Sequence, residues 1–148
     1  MLHALDIVTT VSIGLLIGTE FCVSAFINPV LRRLDEAAQA HAVQMFAKRL
    51  GTAMPFWYVA SLLLIIAEAV LRRHQPDDMF LIVAGAIWVA VIILTLLVLV
   101  PINNKMIQLQ SDFPPEALRQ HQKWDRLHRL RVAALGAAMI CCLIAIGV

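Results

Sequence analysis

Apolar residues occur in four long blocks along the chain, at about 5–27, 54–71, 79–100 and 132–148. Each block is close to the roughly 20 residues that an α-helix needs to cross about 30 Å of hydrocarbon. Lipid offers the backbone no hydrogen-bond partner, so a spanning segment must be a helix or part of a closed barrel. Barrel strands alternate apolar and polar positions, whereas residues 92–94 and 96–100 are all aliphatic. The pattern predicts an all-α protein, an integral membrane four-helix bundle formed as one domain by residues 1–148.

The segment at about 31–50, between the first two blocks, is amphipathic. Apolar residues recur at helical spacing from Leu34 to Leu50, which predicts a helix over 35–50. Gly51 is expected to end this helix, and Thr52 to cap the next one, because glycine favours helix ends and threonine favours helix starts. Pro55 would then lie in the first turn of the second membrane helix.

A second amphipathic segment, at about 102–131, precedes the last apolar block. Residues 102–110 are expected to be helical, and the pattern breaks at 111–115. The final helix should begin near Pro115, with Glu116 suited to the positive end of the helix dipole. A helix from there to Ile146 would be about 48 Å long, so about one third of it must project beyond the membrane. The bundle is therefore expected to carry helical extensions at one end.

The composition excludes an ordinary soluble domain. Hydrophobic residues make up 61% and charged residues 15% of the chain, against about 45–50% and about 25% in soluble proteins. The net charge of +2 comes with no basic arm, so no nucleic-acid partner is predicted. The first block lacks the basic start and cleavage site of a signal peptide, and we expect it to be retained. Cys22, Cys141 and Cys142 lie inside the spans without the spacing of a zinc site and are expected to be packing residues.

Basic residues are distributed unevenly between the two sides of the predicted bundle. Ten of the twelve lysines and arginines fall in the segments 31–50 and 102–131, and only Arg72 and Arg73 fall on the other side. The positive-inside rule places the basic segments in the cytoplasm. The expected location is therefore the cell membrane, multi-pass, with both termini outside and lipid as a partner. Whether the chain forms a homo-oligomer is left open.

Carboxylates within the spans are candidates for function because an intramembrane charge is costly. Glu20 lies deep in the first span and shares a helix face with Ser24 and Asn28. It is either a proton acceptor or ligand, or a polar contact that only orders the bundle. Glu68 lies near the outer end of the second span, where an ion pair with Arg72 at i+4 is the simpler interpretation. Asp6, near the outer terminus, is expected to be solvated.

The last helix carries a stripe of polar and aromatic residues on one face. His121, Trp124, His128 and Arg131 follow at i, i+3, i+7 and i+10. Trp124 and Arg131 are either an anchor at the membrane interface or part of an inward-facing site. An inward face would meet Glu20, Asn28 and Asn103 from other helices, because a helical bundle builds its sites from facing helices. This convergence predicts one pocket in the cytoplasmic half of the bundle.

A metal or haem site is the alternative use of these residues. It would need several histidines or carboxylates to meet at one point. Glu20, His41, His121 and His128 lie on the correct side, but no two of them have HxxxH or ExxH spacing. No metal and no cofactor are predicted.

Three short motifs resemble the anthrone oxygenase-like family of small four-helix membrane proteins. They are Gly18 and Phe21 with Asn28-Pro29, then Pro101-Ile102-Asn103, and last Trp124-x3-His128-x2-Arg131. The resemblance extends over nearly the whole chain. Fungal members of this family are implicated in oxidising anthrones to anthraquinones with molecular oxygen, whereas many bacterial relatives lie outside such a pathway.

The resemblance implies an oxygenase-like enzyme acting on a planar aromatic, anthrone- or hydroquinone-like substrate. In that interpretation Glu20 and His128 are catalytic and remove a proton. The expected substrate-binding residues are Asn28, Asn103, Trp124, Arg131, Phe21 and Phe46. Two other functions remain: a non-catalytic binder or carrier of a lipophilic small molecule, and a structural subunit of a larger membrane assembly. An enzyme or binder needs an apolar cavity near Glu20 and His128, whereas a structural subunit should have that space filled.

Overall fold

The computed structural model describes residues 2–109 and 114–147, which form four helices and contain no strand. The helices are α1 (Leu2–Leu31), α2 (Glu36–Leu71), α3 (Asp78–Ile107) and α4 (Pro115–Ile146), and each is long and apolar enough to cross a membrane. The predicted all-α membrane bundle is confirmed. The start of α4 at Pro115 also agrees with the sequence, whereas most of the predicted break at 111–115 lies outside the described residues.

The four helices form a ring in which each helix packs against two others. α1 and α3 both contact α2 and α4. We call the end where α1 begins and α4 ends the terminal end, and the opposite end the loop end. An apolar core that includes Ile13, Trp88 and Leu135 fills the half toward the terminal end. A smaller core that includes Val43 and Met106 fills the loop end.

Large apolar side chains cover the outside of the bundle. Phe56, Leu97 and Val70 are 76%, 72% and 66% exposed. An aqueous surface with so many contiguous apolar side chains would favour aggregation, whereas hydrocarbon solvates them. The exterior therefore agrees with a bundle that lies in lipid.

The predicted helix end at Gly51 is wrong. α2 continues without a break from Glu36 to Leu71, and Thr52 donates its hydroxyl to the backbone oxygen of Lys48 instead of capping a new helix. A break here would leave backbone groups without partners inside an apolar bundle. Gly51 instead allows close packing, because a Cβ on it would lie 3.0 Å from Nδ2 of Asn103 on α3.

Two wide π-helical turns interrupt the α-helical geometry, at Val23–Ile27 in α1 and at Thr95–Leu99 in α3. Each turn ends two residues before a proline, Pro29 in α1 and Pro101 in α3. Proline lacks an N–H and its ring collides with the carbonyl one turn earlier, so a widened turn relieves the clash and the helix continues. α3 therefore passes through Pro101 and ends only at Ile107.

A buried ionic cluster closes the terminal end. Arg72 pairs with Glu68, as predicted, at 3.2 Å, and also with Asp6 at 2.5 Å. Thr9 donates to Glu68 at 3.1 Å. The expectation that Asp6 is solvated is wrong, because the end of α2 lies beside the start of α1 and Arg72 reaches across to Asp6.

Candidate active site

Glu20 lies at the centre of a polar network inside the bundle and is only 3% exposed. One of its carboxylate oxygens accepts a hydrogen bond from the hydroxyl of Tyr58 at 2.8 Å. The other accepts from Nη2 of Arg131 at 2.6 Å and lies 3.2 Å from Nδ1 of His128. The buried charge thus has an opposite charge and a hydroxyl beside it, as a carboxylate away from water requires.

Arg131 connects Glu20 to the remaining helix. Its guanidinium donates to Oγ1 of Thr95 at 3.2 Å, and its central carbon lies 5.6 Å from the ring centroid of Tyr58. Thr95 opens the π turn of α3, so all four helices contribute a side chain to the network. Nε of Arg131 is buried and has no hydrogen-bond partner among the described residues. The network therefore keeps one donor that a ligand oxygen would satisfy.

His128 is held in one orientation by three contacts. Nε2 lies 3.0 Å from the backbone oxygen of Glu20, and a carbonyl oxygen only accepts, so Nε2 carries the proton. Nδ1 lies 2.8 Å from the donor Nη2 of Arg131, which suits an unprotonated nitrogen. Trp124 stacks on the imidazole with ring centroids 4.6 Å apart. This geometry describes a neutral histidine whose unprotonated Nδ1 lies beside the ion pair of Glu20 and Arg131.

A cavity of about 190 Å³ adjoins this network. Its polar wall is formed by Glu20, Tyr58, Thr95, Asn103, Trp124, His128 and Arg131. Its remaining walls are mainly apolar and come from α1, α2 and α3, with Met54, Ile92 and Leu99 among them. An apolar pocket with a few convergent polar groups is the usual form of a small-molecule site.

Five of the eight residues predicted for the site line this one cavity: Glu20, Asn103, Trp124, His128 and Arg131. Glu20 and His128 are in direct contact, well within the reach of one ligand. Asn103 also donates to the backbone oxygen of Ala47 at 3.0 Å, which fixes its amide at the contact between α2 and α3. Their catalytic and binding roles stay predictions.

The other three predicted residues lie elsewhere. Asn28 donates to the carboxylate of Asp125 at 2.6 Å and lines a neighbouring cavity of about 50 Å³, as does Phe46. Phe21 lies on the outside of the bundle, 52% exposed, in an edge-to-face contact with Phe26. It does not line the cavity beside Glu20, so a stacking role there has no support from its position.

The sequence analysis did not predict three polar residues of the network and its surroundings: Tyr58, Thr95 and Asp125. Tyr58 is the single tyrosine of the chain and interrupts an apolar block, which was a usable signal. Asp125 is 2% exposed and binds Asn28, Arg32 and Arg129. Its position four residues after His121 and three before His128 puts it on the inward face of α4, so the stripe contained it.

The described residues contain no group of three histidines, cysteines or carboxylates close enough to hold a metal ion. That the protein uses no cofactor stays a prediction.

Comparison with known proteins gives one match. The family model for anthrone oxygenase matches residues 42–141, which is 100 of the 148 residues. The chain belongs to the anthrone oxygenase family. No curated protein and no solved structure matches it.

The match confirms the family resemblance inferred from the short motifs. The part of the chain that matches the anthrone oxygenase family contains Tyr58, Asn103, Trp124, His128 and Arg131. Glu20 lies on α1, outside the matched range, and joins the network only through the packing of α1 against α2 and α4.

Proposed function

We propose that this member of the anthrone oxygenase family is a membrane enzyme that oxidises a planar aromatic lipophile, anthrone- or hydroquinone-like, with molecular oxygen. The observation that carries the proposal is an apolar cavity with a buried network of Glu20, Tyr58, His128 and Arg131 in its wall. A structural subunit would be expected to fill this space with side chains. An unfilled cavity beside costly buried charges instead favours a site for a ligand.

The proposed chemistry begins with loss of a proton from the substrate. The methylene group of an anthrone is acidic because its carbanion is a delocalised phenolate. This anion gives an electron pair to O2, and a carbon–oxygen bond forms in a hydroperoxide. Loss of the second C–H proton and cleavage of the O–O bond then yield the ketone and water. One CH2 group and one O2 are converted to one C=O group and one H2O, and no cofactor is needed.

Each side chain of the network has a role in this scheme. Glu20 accepts the proton, and His128 receives it on Nδ1, which lies 3.2 Å from the Glu20 carboxylate. The guanidinium of Arg131 stabilises the developing oxyanion from within a low-dielectric site. The hydroxyl of Tyr58 donates to Glu20 and holds its carboxylate toward the substrate.

A non-catalytic binder is the second candidate, and one observation favours it. Both carboxylate oxygens of Glu20 already accept hydrogen bonds, one of them from an arginine. A substrate would have to displace one of these contacts before it could give its proton to the carboxylate. The same cavity would then hold a lipophile without turnover.

Oxygen uptake by the purified protein separates the two candidates. With a hydroxylated anthrone or an alkyl hydroquinone, we expect uptake by the wild type and a loss of at least about 100-fold in Glu20→Gln/Arg131→Gln. This double variant removes both charges, so no buried charge is left unpaired. The matched control is Asp6→Asn/Glu68→Gln/Arg72→Gln, which removes the ionic cluster at the terminal end and should keep full uptake. Binding of the aromatic compound without any oxygen uptake by the wild type would leave the binder as the function.

A further inference from the structure

The exposed residues that line the cavity all lie on α2 and α3. Its lining residues from α1 and α4 are buried or half-buried, whereas Gly51, Pro55 and Val59 of α2 and Leu96 of α3 are exposed. Val59 and Leu96 are 53% and 59% exposed, on the apolar exterior of the bundle. The opening therefore faces hydrocarbon, and we call it the mouth, formed by Pro55, Val59 and Leu96.

The volume of the cavity limits the size of the group that fits inside. An apolar cavity of about 150 Å³ holds one benzene ring, and sites for drug-sized ligands measure about 300–1,000 Å³. The whole cavity, including the space at the mouth, measures about 190 Å³ and therefore suits one substituted ring. Three fused rings would have to extend through the mouth.

The inner wall suits a phenolic oxygen. Arg131 lines the cavity, is 6% exposed and carries the buried Nε without a partner among the described residues. Such a donor favours an oxygen acceptor, and the nearby Glu20 carboxylate accepts the hydroxyl proton of the same group. Hydrogen-bonding groups at the inner wall and an apolar mouth fit a ligand that is polar at one end only.

We infer that the ligand is a single-ring hydroquinone with a hydrocarbon chain, which binds with its ring in the cavity and its chain passing through the mouth into the bilayer. In the proposed oxidation, the hydroquinone gives two electrons and its two hydroxyl protons to O2, which yields the quinone and H2O2. This inference rests on one part of the proposed function, namely that the cavity binds an aromatic lipophile. Access from the membrane agrees with a site whose open side has no polar lining residue. A chain dissolved in lipid also keeps the ring at the depth of the mouth.

The test measures equilibrium binding of three probes to the detergent-solubilised full-length protein by calorimetry. The probes are 4-decylphenol and 4-methylphenol, which carry the ring and one hydroxyl of the hydroquinone but are not converted to a quinone, and 2-hydroxyanthraquinone. Val59→Trp and Leu96→Trp narrow the mouth, with Val59→Phe as a milder variant in case a tryptophan impairs folding. The matched controls are Leu63→Trp and Leu97→Trp, at exposed positions of α2 and α3 that do not line the cavity. Partition of the decyl chain into micelles is common to all variants and cancels in the comparison.

We expect the mouth variants to raise the Kd of 4-decylphenol at least about tenfold, and the controls to change it less than about twofold. The Kd of 4-methylphenol should stay within about twofold in every variant, because its ring fits behind a closed mouth. Equal effects of mouth and control variants would overturn the inference, as would tighter binding of 2-hydroxyanthraquinone than of 4-decylphenol by the wild type. If the probes bind as expected but the wild type takes up no oxygen with the alkyl hydroquinone, this inference is supported and the proposed oxidation is rejected. If no probe binds, both are rejected.

Discussion

At the scale of single residues, Arg131 depends on one counter-charge. Glu20 is the carboxylate that it pairs with, and its other hydrogen bonds go to the neutral groups of Thr95 and His128. Arg72 at the terminal end pairs with two carboxylates, Asp6 and Glu68. A buried ion pair adds little net stability but is costly to break, since the remaining charge loses its partner in a low-dielectric interior.

This difference gives a stability prediction for Glu20. The single variant Glu20→Gln should lose about 3–5 kcal/mol of unfolding free energy, because it leaves the Arg131 charge buried and unpaired. Glu20→Gln/Arg131→Gln should lose clearly less, although it changes more atoms. Unfolding of the purified proteins in a titration with sodium dodecyl sulfate measures both. A double variant that is less stable than the single one would show that the ion pair itself stabilises the bundle.

Residue spacing on one helix was sufficient to find part of the site. Trp124, His128 and Arg131 share an inward face, as their intervals predict, and all three line the cavity. Spacing along one helix does not show which residues of other helices that helix contacts. Asn28 was assigned to the same site, but its amide binds Asp125 on α4, and that pairing depends on the relative rotation of two helices. The face on which Phe21 lies depends likewise on how α1 packs.

At the scale of helices, glycine and proline act differently here from their usual role as helix ends. Gly51 and Pro55 lie inside α2, and Pro29 and Pro101 lie inside α1 and α3. The number and type of helices followed from hydrophobicity alone, because apolar length determines what can span a bilayer. The continuity of α2 did not follow from hydrophobicity. It depends on the neighbouring α3 and on the cost of exposing backbone groups in lipid.

Two glycine substitutions test this interpretation of Gly51. Gly18→Ala should stabilise the protein by about 0.5–1 kcal/mol, because alanine is the better helix former. Apart from its chain neighbours and the backbone of its own helix turn, no described atom would lie within 4 Å of the added Cβ. Gly51→Ala should give no such gain and be less stable than Gly18→Ala by about 1 kcal/mol, because its Cβ displaces the Asn103 amide that bonds to Ala47. The same detergent titration compares them. An equal gain at both positions would mean that Gly51 is not needed for the contact between α2 and α3.

At the scale of the whole molecule, the folded bundle makes the charge asymmetry stronger than the sequence count of ten to two. Arg131 is buried in the ion pair with Glu20, and Arg72 is buried in the cluster at the terminal end. Of the remaining basic side chains, nine are exposed at the loop end and only Arg73 is exposed at the terminal end. Exposed positive charges near helix ends are the ones that the positive-inside rule counts.

This asymmetry predicts the orientation of the bundle in the membrane, which a direct test can check. We expect the loop end in the cytoplasm and both termini outside, because translocating nine exposed positive charges is unfavourable compared with one. Reporter fusions after Gln75 and after Asp112 should report opposite compartments, with the Asp112 fusion active in the cytoplasm. Replacing Arg73 by glutamine should leave both signals unchanged and serves as the control. The reverse pattern would place the loop end outside while leaving the four spans intact, and the same signal from both fusions would contradict the two-sided arrangement of α2 and α3.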